Sequence, residues 1–127
     1  MRFMLLVKSS ENCGPPPKEL MEAIWKNGES AANAGQMIES GGLKPSALSA
    51  RVQLRGGRVS TLDGPFAEAK EVVGGFAIFE FGSMKEAIAS ATKFMELHRK
   101  YWPGWQGETE IRPMFDRGEF LAGTHNK

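Results

Sequence analysis

A single cysteine, Cys13, stands in a chain of 127 residues, so no disulfide can form within it and the fold must rest on a hydrophobic core. A length near the ~100–150 residues usual for one domain allows roughly two-thirds of the unfolded surface to be buried, which suffices without a disulfide or a structural metal. A lone thiol fits a reducing compartment, and the cytoplasm is the expected location. No run of about 20 apolar residues occurs, which excludes a membrane-spanning helix. The apolar stretch from Phe3 to Val7 is shorter than the ~7–15 residues of a secretory signal and reads as a strand. Charge of one sign is lacking too: sixteen Lys and Arg against fifteen Asp and Glu leave a formal net charge of +1. With no overall field, neither nucleic acid nor a membrane surface is expected as a partner. The glycine loops that cradle phosphates and dinucleotides, and the ligand spacings of zinc sites, are missing as well. No cofactor and no metal are expected.

What is present is patterned for an α+β domain. Residues 2–8 put Phe3, Leu5 and Val7 on one face and Met4 and Leu6 on the other, as in a strand covered on both sides. Ser9 to Pro17, with three successive prolines, is a loop. From Lys18 to Ser40, apolar and small residues recur with a helical period through Leu20, Ile24, Trp25, Ala31 and Ile38, which predicts a first helix with Trp25 in its packed stripe. Gly28 and Gly35 are points where that helix bends or breaks, and Gly41 suits the position just past its end. Alternation in residues 51–55 and 58–61 around Gly56-Gly57 predicts a hairpin with a two-residue loop. Residues 75–81 form an apolar strand that belongs in the centre of a sheet. Ser83 and Glu86 make a capping box that opens a second helix, which Pro103-Gly104 must end. Residues 108–115 read as a last strand, and Pro113 places it at an edge. The order buries two helices on one face of a largely antiparallel sheet with an inserted hairpin. Residues 1–116 form the domain and 117–127 a polar tail. The second sheet face is apolar and lacks a helix, and a second copy of the chain is its simplest cover.

The run Asp63-Gly64-Pro65-Phe66-Ala67-Glu68-Ala69-Lys70-Glu71, followed by Gly74-Gly75-Phe76, resembles the DGPF group of the YCII-related family. Supporting matches are Gly41-Gly42-Leu43, the flanking Ser83-Met84-Lys85-Glu86-Ala87, and the strand Glu110-Ile111-Arg112-Pro113. The resemblance implies a ferredoxin-like fold, a homodimer of the dimeric α+β barrel type, and a cleft beside the packed sheets. It implies no single reaction. One branch includes a dehydrochlorinase acting on a chlorinated, hydroxylated aromatic ring, for which a histidine on the first helix and a nearby aspartate form the proposed site. Other relatives accompany alternative sigma factors. Here the stretch from Lys18 to Ser40 holds neither histidine nor aspartate, so that pair does not carry over.

The candidate chemistry rests on a few side chains. Asp63 suits a cleft carboxylate acting as base or ligand anchor, although Asp-Gly-Pro is explained by turn chemistry alone, which is the favoured reading. Glu68, Lys70 and Glu71 suit a polar cluster at the same rim, or a solvated loop. Arg51, Arg55 and Arg58 suit an anion clamp, with edge protection of the hairpin favoured. His98 is the one histidine placed to act as a base, against the alternative of a hydrogen-bonded, partly buried ring, and His125 lies in the tail. Tyr101, Trp102 and Trp105 either line an aromatic cleft or bury the end of the second helix. Cys13 has no activating neighbour in sequence. The expected catalytic pair is therefore Asp63 and His98, and the expected ligand contacts are Arg51, Asp63, Glu68, Lys70 and Trp102. The leading reading is a homodimeric domain binding a small molecule in its cleft. The alternatives are a lyase- or isomerase-type enzyme acting on a small cyclic or aromatic compound, and a regulatory interaction module.

Overall fold

Phe3 and Leu5 are buried while Met4 and Leu6 are half-exposed, the period-2 signature of a strand with one face on a core. In the computed structural model, which describes residues 1–66, 70–116 and 118–119, that strand is β1 (Arg2–Ser9). It is followed by α1 (Lys18–Asn33), β2 (Met37–Gly42), β3 (Ala50–Arg55), β4 (Arg58–Asp63), β5 (Val72–Glu80), α2 (Met84–Tyr101) and β6 (Gly107–Pro113). Single 3-10 turns lie at Glu11–Cys13 and Ser46–Leu48.

Four strands form one antiparallel sheet in the order β2-β5-β1-β6, and β3 and β4 form a separate two-stranded arm. This is a ferredoxin-like α+β fold with an inserted hairpin. β5 is central and β6, with Pro113, is an edge, as the sequence predicts. Phe3 faces Phe79 across β1 and β5, and Leu5 faces Ala77 on one side and Ile111 on the other. These residues pack beneath the helices with Phe81, Ala87 and Ala91. Phe79 and Phe81 stack with ring centres 5.0 Å apart. Each fully buried large side chain, such as Phe3 or Leu20, contributes about 1.5–3 kcal/mol.

The first helix stops earlier than its apolar pattern suggests. It ends in a Schellman motif: Gly35 takes φ +75° and donates to Ala32 O, and the amide of Gln36 donates to Ala31 O at 2.9 Å. Residues 37–42, read from sequence as the end of the helix and its exit turn, are instead the edge strand β2. Gly41 therefore lies in a strand and Gly35 terminates the helix. Trp25 is a second correction, being 73% exposed. The inward arc of α1 runs through buried Leu20 and half-buried Ile24, Asn27 and Ala31, and Trp25 lies about 100° further round the helix than Ile24, outside that arc. α2 begins as expected, with Ser83 Oγ accepting from the Glu86 amide at 3.3 Å. Its last turn carries Arg99 and Lys100, the sign that favours a helix C-terminus. Among the described residues no helix is long and apolar enough to cross a membrane.

Candidate functional site

The sheet has two faces, and the helices cover one. On the other face the register aligns Met4 with Ile78 and Leu6 with Phe76, giving a four-residue apolar centre. All four are only half-buried in the single chain. Polar groups ring this centre because the strands change character along their length. Across β1 and β6, Met4 faces Arg112, Leu6 faces Glu110 and Lys8 faces Glu108. Lys8 is ion-paired to Glu110, and Arg112 approaches the other oxygen of Glu110 at 3.3 Å. At the opposite end Glu80 pairs with the amino group of Met1, and Arg2 lies 3.8 Å away. The hydrogen bond to Glu110, with the nearby charges of Glu110, Glu108 and Glu71, raises the Lys8 pKa against the opposing effect of burial. The same bond holds the Glu110 carboxyl below the usual carboxylate range. Lys8 is a cation and Glu110 an anion across the neutral range.

One end of this face is bounded by the loop after β1, the base of the arm and the segment after β4. Glu11 fastens the first of these to the second. Its carboxylate accepts from the Ser46 amide at 2.6 Å and from the Ser46 hydroxyl. Those bonds lower the Glu11 pKa. Gly64 closes the base from the other side, its amide donating to Ser49 O at 2.8 Å. A β-carbon on Gly64 would sit 1.7 Å from the carbonyl oxygen of Ser46, so only glycine permits this approach. The Gly64-Pro65 peptide is cis.

The sequence-predicted residues divide between this rim and the helix layer. Asp63 ends β4 opposite Ala50, is exposed, and among the described residues its carboxylate takes no hydrogen bond. The shape of the turn is held by Gly64, not by the Asp63 side chain. Arg51 places its guanidinium carbon 3.7 Å from the centre of the Phe66 ring, a cation–π contact. Lys70 is exposed, and Glu68 lies outside the described residues. Arg55 and Arg58 face each other at the tip of the arm.

His98 and Trp102 are elsewhere. His98 is buried on the helix side, with its Nδ1 donating to Phe94 O at 3.0 Å. Its ring lies 4.7 Å from Phe94 and 4.4 Å from Trp105, and Trp105 stacks in turn on Trp102. Burial lowers the His98 pKa, against the raising effect of the Phe94 bond. It is a neutral ring sealed in an aromatic stack. Among the described residues no hydrogen bond or ion pair joins His98 to Asp63, and none of the His, Cys, Asp and Glu side chains cluster in a way that could hold a metal ion. Cys13 is exposed.

Sequence reasoning missed Lys8, Glu11, Glu110 and Arg112. The last strand already carried Glu110 and Arg112 on alternate positions, but only the register brings them against Lys8 and the apolar centre. Glu11 gave no signal, because its partner Ser46 is 35 residues away.

A family model described as the YCII-related domain matches residues 1–97, from β1 to within about one turn of the end of α2. No curated protein matches the chain.

Proposed function

This chain belongs to the YCII-related domain family, and from that premise we propose that it is a small-molecule-binding domain that works as a homodimer, with its ligand held in the cleft between two copies. The observation that carries this reading is the helix-free sheet face. Its centre of Met4, Leu6, Phe76 and Ile78 is apolar, and charged pairs rim it. A soluble domain gains by covering such a face, and an apolar floor with a few polar groups at its margin is the usual make-up of a small-molecule site. The resemblance to the DGPF group supports the same reading.

The chemistry of the floor and rim selects the ligand class. Phe76 and Ile78 suit a flat aromatic or cyclic body, and the Lys8 ammonium, shared with Glu110, suits a carboxylate or phenolate on it. A lyase- or isomerase-type reaction is the second reading, supported by one feature: the Asp63 carboxylate is exposed and among the described residues takes no hydrogen bond, as suits a base or anchor. It ranks lower because among the described residues no second titratable side chain is hydrogen-bonded to Asp63.

Light scattering at micromolar concentration, paired with thermal-shift titration of 4-hydroxybenzoate and salicylate, tests the proposal. A dimer whose melting temperature rises with either compound, and rises less in Lys8→Met, is the expected result. A stable monomer, or melting curves indifferent to both compounds, overturns it.

A further inference from the structure

The helix layer leaves a groove of about 370 Å³ where the C-terminal half of α1 meets the N-terminal half of α2. It lies on the helix side of the sheet, opposite the apolar centre of Met4, Leu6, Phe76 and Ile78. Its cause is in the sequence. The helices line it with small side chains, Ala31 and Ala34 from one and Ala89 and Ser90 from the other, which leave space between them above the buried Phe81.

Two inward positions beside this space are polar where the helical pattern calls for apolar residues. Asn27 continues the arc of Leu20 and Ile24 on α1, and Ser90 follows buried Ala87 by one turn on α2; both are half-buried. Among the described residues, the side chains of Asn27, Ser30, Gln36, Glu86, Ser90 and Lys93, which all line the groove, make no hydrogen bond or ion pair with one another or with the rest of the chain. Glu86 is the clearest case. Ser83 caps its amide, but among the described residues its carboxylate does not return a bond to the Ser83 amide, so the reciprocal half of the capping box is unmade.

The charges say what the groove can hold. Glu86 and Lys93 are the first and last residues of α2 to line it, and seven positions of helix put them about 10 Å apart along the axis, too far to pair with each other. Neutral amides and hydroxyls fill the interval. A complementary ligand therefore carries an ammonium and a carboxylate with a neutral hydrogen-bonding group between them. An extended dipeptide spans up to about 7 Å, which a charge-assisted hydrogen bond at each end extends to the required separation. A single amino acid has no internal amide to meet Asn27 and Ser90, and a tripeptide overshoots. We propose that this interhelical groove is a second ligand site, which binds a zwitterion of dipeptide length with its ammonium at Glu86, its carboxylate at Lys93 and its peptide group against Asn27, Ser30 and Ser90. The inference is independent of the sheet-face reading, since the two sites lie on opposite sides of the sheet.

Amide NMR titration of the full chain with L-alanyl-L-alanine tests it, beside the N-acetyl dipeptide, the dipeptide amide and free L-alanine. Expected are saturable shifts at Asn27, Ser30 and Ser90 with the free dipeptide, and a dissociation constant raised at least about tenfold by blocking either end. In Glu86→Gln the free dipeptide binds more weakly and acetylation costs little further, because the carboxylate that reads the ammonium is gone; Lys93→Met does the same for the amide. Circular dichroism verifies the fold of both variants. No saturable shift at millimolar peptide overturns the inference, as do equal affinities for free and blocked peptides or for L-alanine. Shifts confined to Met4, Leu6, Phe76 and Ile78 would place the peptide on the sheet face and also overturn it. Should a variant fail to fold, the blocked peptides on wild type decide.

Discussion

The ring of Phe76 lies over the backbone of Gly41 on the neighbouring strand, its Cε1 2.9 Å from where a β-carbon on Gly41 would stand. Glycine weakens a strand through its conformational freedom, and here an aromatic ring from the opposite position fills the space that the missing side chain leaves. The pair joins the edge strand β2 to the apolar centre of the open face.

Gly41→Ala is expected to destabilise the protein by about 1 kcal/mol, the lower end of overpacking costs, because the ring must move aside. In a Phe76→Ala background the same change becomes neutral or stabilising. Denaturant melts of the four proteins give the coupling energy directly, and its absence would show that the ring and the glycine do not depend on each other.

Adjacent residues at the base of the arm are expected to behave in opposite ways. Gly64→Ala puts a carbon 1.7 Å from a main-chain oxygen that cannot rotate away, and a loss of about 3 kcal/mol or more should follow. Asp63→Ala and Asp63→Asn remove no hydrogen bond seen among the described residues, so both should stay within about 0.5 kcal/mol of wild type. Urea melts separate the cases. If Asp63 anchors a ligand, both Asp63 variants keep their stability and lose binding.

The Glu11 carboxylate, with its pKa lowered by the Ser46 hydroxyl and amide, stabilises the fold above the pKa that an unfolded glutamate would have. That contribution disappears as pH falls through the lower folded value. In an NMR titration the Ser46 amide shift should follow the Glu11 carboxyl, with a midpoint below that of an ordinary glutamate, and Glu11→Gln should abolish the inflection. A Ser46 amide that does not respond to acid would remove Glu11 from this role.

His98 has a linkage of the same sign, with burial of the ring rather than hydrogen bonds to the charged form as its cause. Its folded pKa is below the unfolded one, so between the two values the unfolded chain binds the extra proton and stability falls as pH drops. Wild type should lose more stability than His98→Phe between about pH 7 and pH 5, a range that spans the ordinary histidine pKa. Phenylalanine keeps a ring against Phe94 and Trp105 but cannot titrate. Parallel slopes for the two proteins would show that His98 does not titrate differently on folding.

The parts of the fold that a reader of the sequence can find are those with local causes. The hairpin loop at Gly56-Gly57, with both φ values positive, the Ser83 cap, the central strand and the edge proline all declare themselves within a few residues. β2 does not. Ile38 continues the helical spacing of α1, and although Gly35 stands out in the sequence as a possible break, the hydrogen bonds there establish that the helix has ended and a strand follows. Trp25 misleads for a related reason, since a stripe that includes both Ile24 and Trp25 spans more of the helix than the sheet can cover. At the candidate site Asp63 and Arg51 were legible as residue types, whereas Lys8 and Glu110 acquire meaning only through a pairing of strands 102 residues apart.

That pairing also governs when the protein can begin to fold. β1 lies between β5 and β6, with Arg2 opposite Glu80 and Phe3 opposite Pro113. A ribosome adding about 5–20 residues per second leaves this strand without either neighbour for several seconds after it is made. Throughout that interval Phe3, Leu5 and Val7 have no sheet to join, and the early-formed parts of the chain are α1 and the hairpin. Because β5 begins only at Val72 and β6 at Gly107, the main sheet closes well after β1 is made, and β1 is the segment most in need of a chaperone.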